Sequence, residues 1–231
     1  MNNESLKTDN FENKQEFSLL EKISQLEKRV SELKTENEKL ISEDKKLKHD
    51  LMHDSLTGLN TKKYLEGIME ETISSLDVPE SERRIEGYRG FSLLFCDVDN
   101  FKKINDMFGH NKGNDVLKKV SEIINDSVRV SDIVCRWGGD EIVVGLMGAN
   151  EEKASQIGEK IRVAVEKETK DTGVTVSIGV IAYEKGLNMQ LIVEGADKAM
   201  YWAKKEGKNK VIKYSDFLEE EKAKKLEEET K

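Results

Sequence analysis

The stretch CRWGGDEIVVGL, residues 135–146, sets two glycines and two acidic residues between two apolar runs. The apolar runs predict a β-hairpin with Gly138 and Gly139 in its turn. A structural turn needs only the glycines, whereas Asp140 and Glu141 repel each other unless a cation or a proton lies between them. The stretch therefore indicates a turn that binds a ligand as well as joining two strands.

A second acidic strand end precedes this hairpin. The run FSLLFCDVD, residues 91–99, predicts a buried strand that ends in Asp97 and Asp99. If this strand lies beside the hairpin, Asp97 approaches the two acids of the turn, and Mg²⁺ is the cation that suits such oxygen ligands. A purely structural interpretation stays open, because any one of these acids can also form a turn or cap a helix.

Composition excludes several classes of protein. The 231 residues include 38 basic and 46 acidic ones, a net charge of −8, which argues against binding nucleic acid through bulk charge. No apolar run reaches the roughly 18 residues of a membrane span, and the polar N-terminus lacks a signal-peptide core. Cys96 and Cys135 lie in apolar runs and are expected to be buried free thiols, so we expect a cytoplasmic protein with no membrane partner.

A heptad repeat occupies the N-terminal part of the chain. We expect residues 1–18 to be disordered and residues 19–52 to form a parallel, two-stranded coiled coil that makes a homodimer. The alternative is a single amphipathic helix packed on its own domain. Asn37 in the seam favours two strands and a fixed register. The seam consists of Leu19, Leu26, Leu33, Leu40 and Leu47 at d, and Ile23, Val30, Asn37, Asp44 and Leu51 at a.

Strand and helix patterns alternate over residues 53–215. Because two of the strands form a hairpin, we expect a mixed α/β (α+β) fold, with a five-stranded sheet flanked by helices. Residues 216–231 form a charged tail, predicted to be a frayed helix. The predicted strands are FSLLFCDVD (91–99), DIVCRW (132–137), IVVGLM (142–147), VTVSIGVIA (174–182) and KVIKY (210–214).

Five motifs in this domain resemble those of one family. GGDEI (138–142) differs by one residue from the motif of the GGDEF family, the diguanylate cyclases. The others match the family's remaining motifs in order: HDSLTGLNTKKYL (53–65), DVDNFKKINDMFGHNKGNDVL (97–117), VTVSIGVI (174–181) and ADKAMYWAKKEGKNKV (196–211).

This resemblance implies a fold, a reaction and a set of site residues. The fold is that of the nucleotidyl-cyclase palm, with a five-stranded sheet. The reaction condenses two GTP molecules into cyclic di-GMP and releases two pyrophosphates. Each domain binds one GTP, so the active site forms between two domains.

Roles carried over from the family fall on matching positions of this chain. Asp97, the carbonyl of Val98 and Asp140 would hold Mg²⁺ or Mn²⁺, with Glu141 as general base on the 3′-hydroxyl and as a further metal contact. Lys102 would balance charge on the phosphate. The remaining substrate-binding positions are Phe101 in the phosphate loop, Lys204 and Lys208 on the outer phosphates, Asn105, His110 and Asn114 at the base and sugar, and Gly138 and Gly139 against the ligand. Taken alone, the lysines also fit a solvated helix face, and His110 fits a helix cap.

The chain departs from the family pattern at Thr61, Lys62 and Lys63 of the first motif and at three positions with a clearer consequence. Ile142 replaces phenylalanine and points into the core. Lys208 replaces arginine, so a point charge stands where a bidentate fork is usual. Asn114 replaces an aspartate that accepts hydrogen bonds from guanine; because an amide offers one acceptor and one donor, we expect a relaxed base preference, with cyclic GMP-AMP as a second product.

The segment RVSD, residues 129–132, resembles the family's RxxD inhibitory motif. Its Arg129 and Asp132 suit the phosphates and guanine edges of bound cyclic di-GMP. Arg162 is a secondary candidate for the same inhibitory site. A local salt bridge on a loop is the structural alternative.

Two other functions compete with an active cyclase. One is a catalytically silent domain that binds nucleotide and signals to a partner. The other is a coiled-coil scaffold. The intact acids of the central motif, together with Asp97 and Lys102, favour the enzyme.

Overall fold

The computed structural model describes the backbone of residues 5–78 and 90–229, and the side chains of residues 20–47, 51–78 and 90–226. The segment DVPESERRIEGYRG, residues 77–90, contains the single proline of the chain and is predicted to be a surface loop; most of it lies outside these residues. The chain divides into two compact units, Met1–Asp50 and Leu51–Lys231. The division falls close to the expected boundary at residue 53.

A single long helix, α1 (Ser5–Met52), makes up the first unit. It begins earlier than we expected, because residues 5–18 are helical where the sequence indicated disorder. Every residue from 20 to 47 is exposed in the single chain, including Leu26 and Leu33 of the heptad seam. The apolar seam is therefore unburied in one chain, as expected of a helix that pairs with another.

A mixed six-stranded sheet is the centre of the second unit. Its order is β1-β3-β4-β2-β5-β6, with parallel pairing at both edges and antiparallel pairing between. All five predicted strands are present. The sixth, β1, has only two residues, too few to show a strand pattern. The strands are β1 (Asn60–Thr61), β2 (Phe91–Val98), β3 (Ile133–Gly138), β4 (Glu141–Met147), β5 (Val176–Ala182) and β6 (Val211–Lys213).

Helices cover both faces of this sheet. They are α2 (Lys62–Asp77), α3 (Phe101–Ser127), α4 (Glu151–Glu168), α5 (Met189–Lys205) and α6 (Tyr214–Glu229). Helices α3 and α4 pack on the face that carries Leu94 and Cys96. Helices α2 and α5 pack on the face that carries Leu93 and Phe95. Strand β2 is buried on both sides, and alternation places its Asp97 on the α2/α5 face.

Two further expectations concern the helices. The sequence predicts that the helical pattern of residues 100–128 is interrupted around Gly109 and Gly113. Helix α3 is broken at Gly109, whose φ of 81° and ψ of 161° are non-helical, which confirms the interruption. The expected tail is α6, which buries Phe217 against Trp202 and Tyr214. Within the part of the chain that the structure describes, no helix combines the length and apolar character of a membrane span.

Candidate active site

The two acidic strand ends meet at one edge of the sheet. Strands β2 and β4 are antiparallel neighbours, and their register sets Asp97 directly opposite Glu141. The N–H of Val98 donates to the carbonyl of Asp140 at 3.3 Å. Side chains opposite each other on adjacent strands lie on the same face. The predicted approach of these acids is therefore confirmed by strand pairing.

The turn glycines have different roles. A Cβ on Gly138 would lie 2.9 Å from Oε2 of Glu141, so the missing side chain is what leaves room for this carboxylate. A Cβ on Gly139 would meet nothing within 4 Å, which leaves the backbone open to an incoming group. The first glycine thus accommodates Glu141, and the second exposes the turn.

Arg136 fixes this turn, a role that the sequence did not reveal. Its guanidinium donates to the carbonyl of Gly139 at 2.8 and 3.2 Å and to both carboxylate oxygens of Asp54 at 3.1 Å. Asp54 also accepts from the N–H and hydroxyl of Thr57. Burial works against ionised Asp54, but the bonds from Thr57 and Arg136 outweigh it and lower its pKa. The turn is tied in this way to the segment that follows α1.

Lys204 supplies the cation beside these acids. On α5, Met200 faces the sheet, and Lys204 follows one helical turn later on the same side. Its Nζ lies 2.6 Å from Oδ2 of Asp97. Burial raises the pKa of Asp97 to about 6, with further increases from Asp140 and Glu141, while the Lys204 bond opposes the shift. Burial and Asp140 likewise raise the pKa of Glu141.

The donor set fits a hard divalent cation. The charge of Asp140 raises the pKa of both Asp97 and Glu141, and the charge of Glu141 also raises that of Asp97, so added positive charge is favourable among these carboxylates. Among the side chains described here, no three His, Cys, Asp or Glu residues enclose a metal position by themselves, and Asp97 bonds to Lys204 instead. The magnesium site stays a prediction that the oxygen donors support.

Replacing Asp97 with Asn should stabilise the metal-free and nucleotide-free protein above pH 6. The folded-state pKa of about 6 exceeds the ordinary 3.8, so between these values the native state holds a proton that the unfolded chain has lost. Stability attributable to this group therefore falls as pH rises from about 4 to 6. We expect Asp97→Asn to raise the free energy of unfolding by about 1–2 kcal/mol at pH 7.5 and to leave it unchanged at pH 4, measured by urea denaturation. The exposed Asp171→Asn is the control, and a variant less stable than the parent at pH 7.5 contradicts the expectation.

The predicted nucleotide-binding residues lie on both sides of the break in α3. Phe101 and Asn105 are half-buried next to Gly113, where any Cβ would overlap Oδ1 of Asn105. The three remaining positions on this helix are exposed: Lys102, His110 and Asn114. The structure therefore brings Phe101 and Asn105 together and leaves polar groups available on the helix surface around them.

Lys208, the second lysine predicted to bind the outer phosphates, lies on the loop between α5 and β6. Nζ of Lys208 donates to Oδ1 of Asn100 at 2.6 Å. Asn100 is the left-handed residue that begins α3, with a φ of 59°. The sequence motifs do not point to Asn100, or to Asn209, which follows Lys208 in the chain. Both residues are recognised by their left-handed backbone, which the sequence does not reveal.

The RVSD segment forms the turn between α3 and β3. Both carboxylate oxygens of Asp132 are engaged inside the protein, one by the N–H of Arg129 at 2.9 Å and the other by the N–H of Met147 at 3.1 Å. The side chain of Arg129 is exposed and lines a surface groove of about 600 Å³ together with Asn125. Asp132 therefore shapes the turn, and Arg129 is the side chain available to a ligand.

Arg162 makes its contacts elsewhere. Its guanidinium bonds to Glu159 and Glu166 on α4 and to Oδ1 of Asn209 on the α5–β6 loop. Its described bonds connect α4 with the α5–β6 loop and include none to the RVSD turn. These bonds therefore give no support to the expected place of Arg162 in the inhibitory site.

Comparisons with known proteins agree with this architecture. Residues 51–210 match the family model described as diguanylate cyclase, GGDEF domain. The chain is 35% identical over 170 residues to diguanylate cyclase DosC of Escherichia coli K12, and 35% identical over 164 residues to diguanylate cyclase A of Treponema denticola. These alignments cover 71% and 68% of this chain but only 35% and 43% of those relatives. The chain belongs to the GGDEF-domain diguanylate cyclase family.

A solved structure extends the similarity to the N-terminal helix. The coiled coil and GGDEF domain of DgcB from Caulobacter crescentus, in complex with c-di-GMP, matches with a TM-score of 0.73 and 25% identity. The match covers 81% of this chain and 98% of that one. A long helix preceding a GGDEF domain is therefore an arrangement known in the family.

Proposed function

We propose that this protein is a homodimeric diguanylate cyclase that condenses two GTP molecules into cyclic di-GMP. The observation that carries the proposal is the pairing of Asp97 with Glu141 across β2 and β4, with Lys204 bonded to Asp97. Carboxylates that favour a bound cation, with a lysine next to them, are suited to bind a metal ion together with a nucleoside triphosphate. The exposed heptad seam of α1 supports pairing of two chains.

In this proposal each residue has a defined task. Asp97, the carbonyl of Val98 and Asp140 would hold Mg²⁺ or Mn²⁺, and Glu141 would accept the proton of the 3′-hydroxyl. The metal, when bound, would neutralise phosphate charge. The other positions bind and orient the nucleotide, which is most of the catalytic work in phosphoryl transfer. They are Lys102, Lys204, Lys208 and Phe101 at the phosphates, Asn105, His110 and Asn114 at the nucleoside, and Gly138 and Gly139 at the turn.

One incubation distinguishes this proposal from its rivals. The purified full chain is mixed with GTP and Mg²⁺, and products are resolved by chromatography. An active cyclase releases cyclic di-GMP and pyrophosphate. A silent nucleotide-binding module retains GTP without turnover, and a scaffold binds none. GTP binding without product, at protein concentrations where the chain is dimeric, would reject the enzyme. Free buried cysteines support the cytoplasm as the compartment of this reaction.

Product inhibition through the RVSD turn is a separate part of the proposal. Arg129 is exposed at a groove large enough for part of a cyclic dinucleotide, and a guanidinium pairs well with phosphate. We expect Arg129→Ala to raise the cyclic di-GMP concentration that halves the rate by at least about tenfold, with the initial rate unchanged. Arg129→Ala is preferred to a change at Asp132, whose carboxylate holds the turn. Unchanged inhibition in Arg129→Ala would contradict this site.

A relaxed base preference is the second candidate function. Asn114 is exposed on α3, one residue after Gly113, which lies against Asn105, so its amide is available to a ligand. A polar mismatch between the Asn114 amide and guanine costs about 1–3 kcal/mol, which lowers the preference for guanine by a factor of about 10 to 100. With equal GTP and ATP we expect cyclic GMP-AMP beside cyclic di-GMP, and Asn114→Asp should restore cyclic di-GMP as the main product. Cyclic di-GMP as the sole product of the parent protein rejects the idea.

A further inference from the structure

The loop between α5 and β6 has an unusual backbone. Gly207, Lys208 and Asn209 follow one another with φ values of 106°, 66° and 49°. The left-handed region is unfavourable for residues with a Cβ, so two consecutive non-glycine residues in it need contacts that hold them there. The loop also carries Lys208, the residue proposed to bind the outer phosphates.

Asn209 provides those contacts with its backbone N–H and with both polar atoms of its side chain. Its backbone N–H donates to Oδ2 of Asp99 at 3.0 Å. Its side-chain Oδ1 accepts from Nη1 of Arg162 at 2.8 Å, and its Nδ2 donates to Oε1 of Glu166 at 2.8 Å. Asp99, just after β2, therefore holds the backbone of the loop, and Arg162 and Glu166 of α4 hold the side chain of Asn209.

Asp99 is a firm anchor for the loop. It is 2% exposed, and it accepts from the hydroxyls of Thr175 and Ser177, each at 2.7 Å. The next residue, Asn100, accepts from Nζ of Lys208. The consecutive residues 99 and 100 thus fix both the backbone beside Lys208 and its amine.

We propose that Asn209 is a positioning residue that holds Lys208 toward the outer phosphates of the nucleotide, and that Arg162 acts on the substrate through Asn209. This inference rests on the proposed function, in which Lys208 contacts those phosphates. It gives Arg162 a part in substrate binding, where sequence comparison suggested a part in inhibition. Because Lys208 touches only phosphate in this scheme, loss of Asn209 or Arg162 weakens triphosphate binding and leaves the base and sugar contacts intact.

Two variants of the full chain test the inference. Asn209→Gly keeps the left-handed backbone without strain and removes the side-chain bonds. Arg162→Met removes the guanidinium that bonds to Oδ1 of Asn209. Lys167→Met is the matched control, an exposed residue of the same helix with the same loss of charge. Arg162→Gln retains a donor for Oδ1 of Asn209 and should restore part of the affinity.

Binding is measured with 3′-deoxy-GTP, which lacks the attacking hydroxyl, and with GMP, which lacks the outer phosphates. We expect Asn209→Gly and Arg162→Met to weaken 3′-deoxy-GTP binding by about tenfold, while GMP binding and the thermal midpoint stay close to those of the parent. Lys167→Met should match the parent with both nucleotides. Selective loss of triphosphate affinity is the signature that a general structural role would not produce.

Three results overturn the inference. One is unchanged 3′-deoxy-GTP binding in both variants. Another is an equal loss for 3′-deoxy-GTP and GMP, which would mean general disruption. The third is relief of cyclic di-GMP inhibition in Arg162→Met without loss of triphosphate affinity, which would place Arg162 in the inhibitory site. Failure of the parent protein to prefer 3′-deoxy-GTP over GMP is distinguishable from these, because it contradicts the proposed function itself.

Discussion

Replacing Glu141 with Gln is expected to lower the rate of cyclic di-GMP formation by about a thousandfold. The amide has nearly the shape of the carboxylate but cannot accept the proton of the 3′-hydroxyl and gives the metal less negative charge. The side chain lies over Gly138 and opposite Asp97, so an isosteric replacement needs no movement of the turn.

The fold should survive this change. Burial and the charge of Asp140 raise the pKa of Glu141, which means that its ionised form is disfavoured in the folded protein. We therefore expect a thermal midpoint equal to or above that of the parent. The control is Glu184→Gln, an exposed glutamate beyond the end of β5, which should keep full activity. A Glu141→Gln protein within tenfold of the parent rate would remove Glu141 from the proposed mechanism.

Breaking the heptad seam is expected to reduce activity at nanomolar protein concentration by about a hundredfold. A coiled coil holds its attached domains at an effective concentration in the millimolar range, far above that of the free chains. Aspartate at two d positions, in Leu33→Asp with Leu40→Asp, buries like charges in the seam of a paired helix and should separate the chains.

The concentration dependence is the informative measurement. Activity of the seam variant should rise steeply with protein concentration, whereas the specific activity of the parent should stay constant. Ser24→Asp with Ser31→Asp is the matched control, because both serines are exposed and lie outside the seam. Sedimentation should show a dimeric parent and control. A seam variant that is monomeric yet fully active at nanomolar concentration would contradict a site shared between two chains.

Much of the architecture was predictable because it depends on local patterns. The apolar run of β2, the Gly-Gly hairpin and the break at Gly109 are each encoded within a few neighbouring residues. The two-residue β1 was missed because its only regular feature is pairing with β3. The helical backbone before residue 19 was missed because a polar segment gives no periodic signal, although its Glu, Lys and Gln favour helix.

The residue types of the candidate site were also available from the sequence, but their connections were not. Asp97, Glu141, Lys204 and Lys208 were singled out by motif and by charge. Arg136 was not, since its role depends on a carbonyl three residues away and on Asp54, 82 positions earlier in the chain.

By itself, the sequence determined the kind of domain, the heptad seam and the chemistry of its candidate residues, because spacing and side-chain type are local properties. Only the tertiary structure decided which groups meet. Strand register sets Asp97 opposite Glu141, the packing of α5 on the sheet brings Lys204 to Asp97, and buried Asp99 holds the loop of Lys208. These contacts join residues far apart in the chain, and their geometry follows from how the sheet and helices pack.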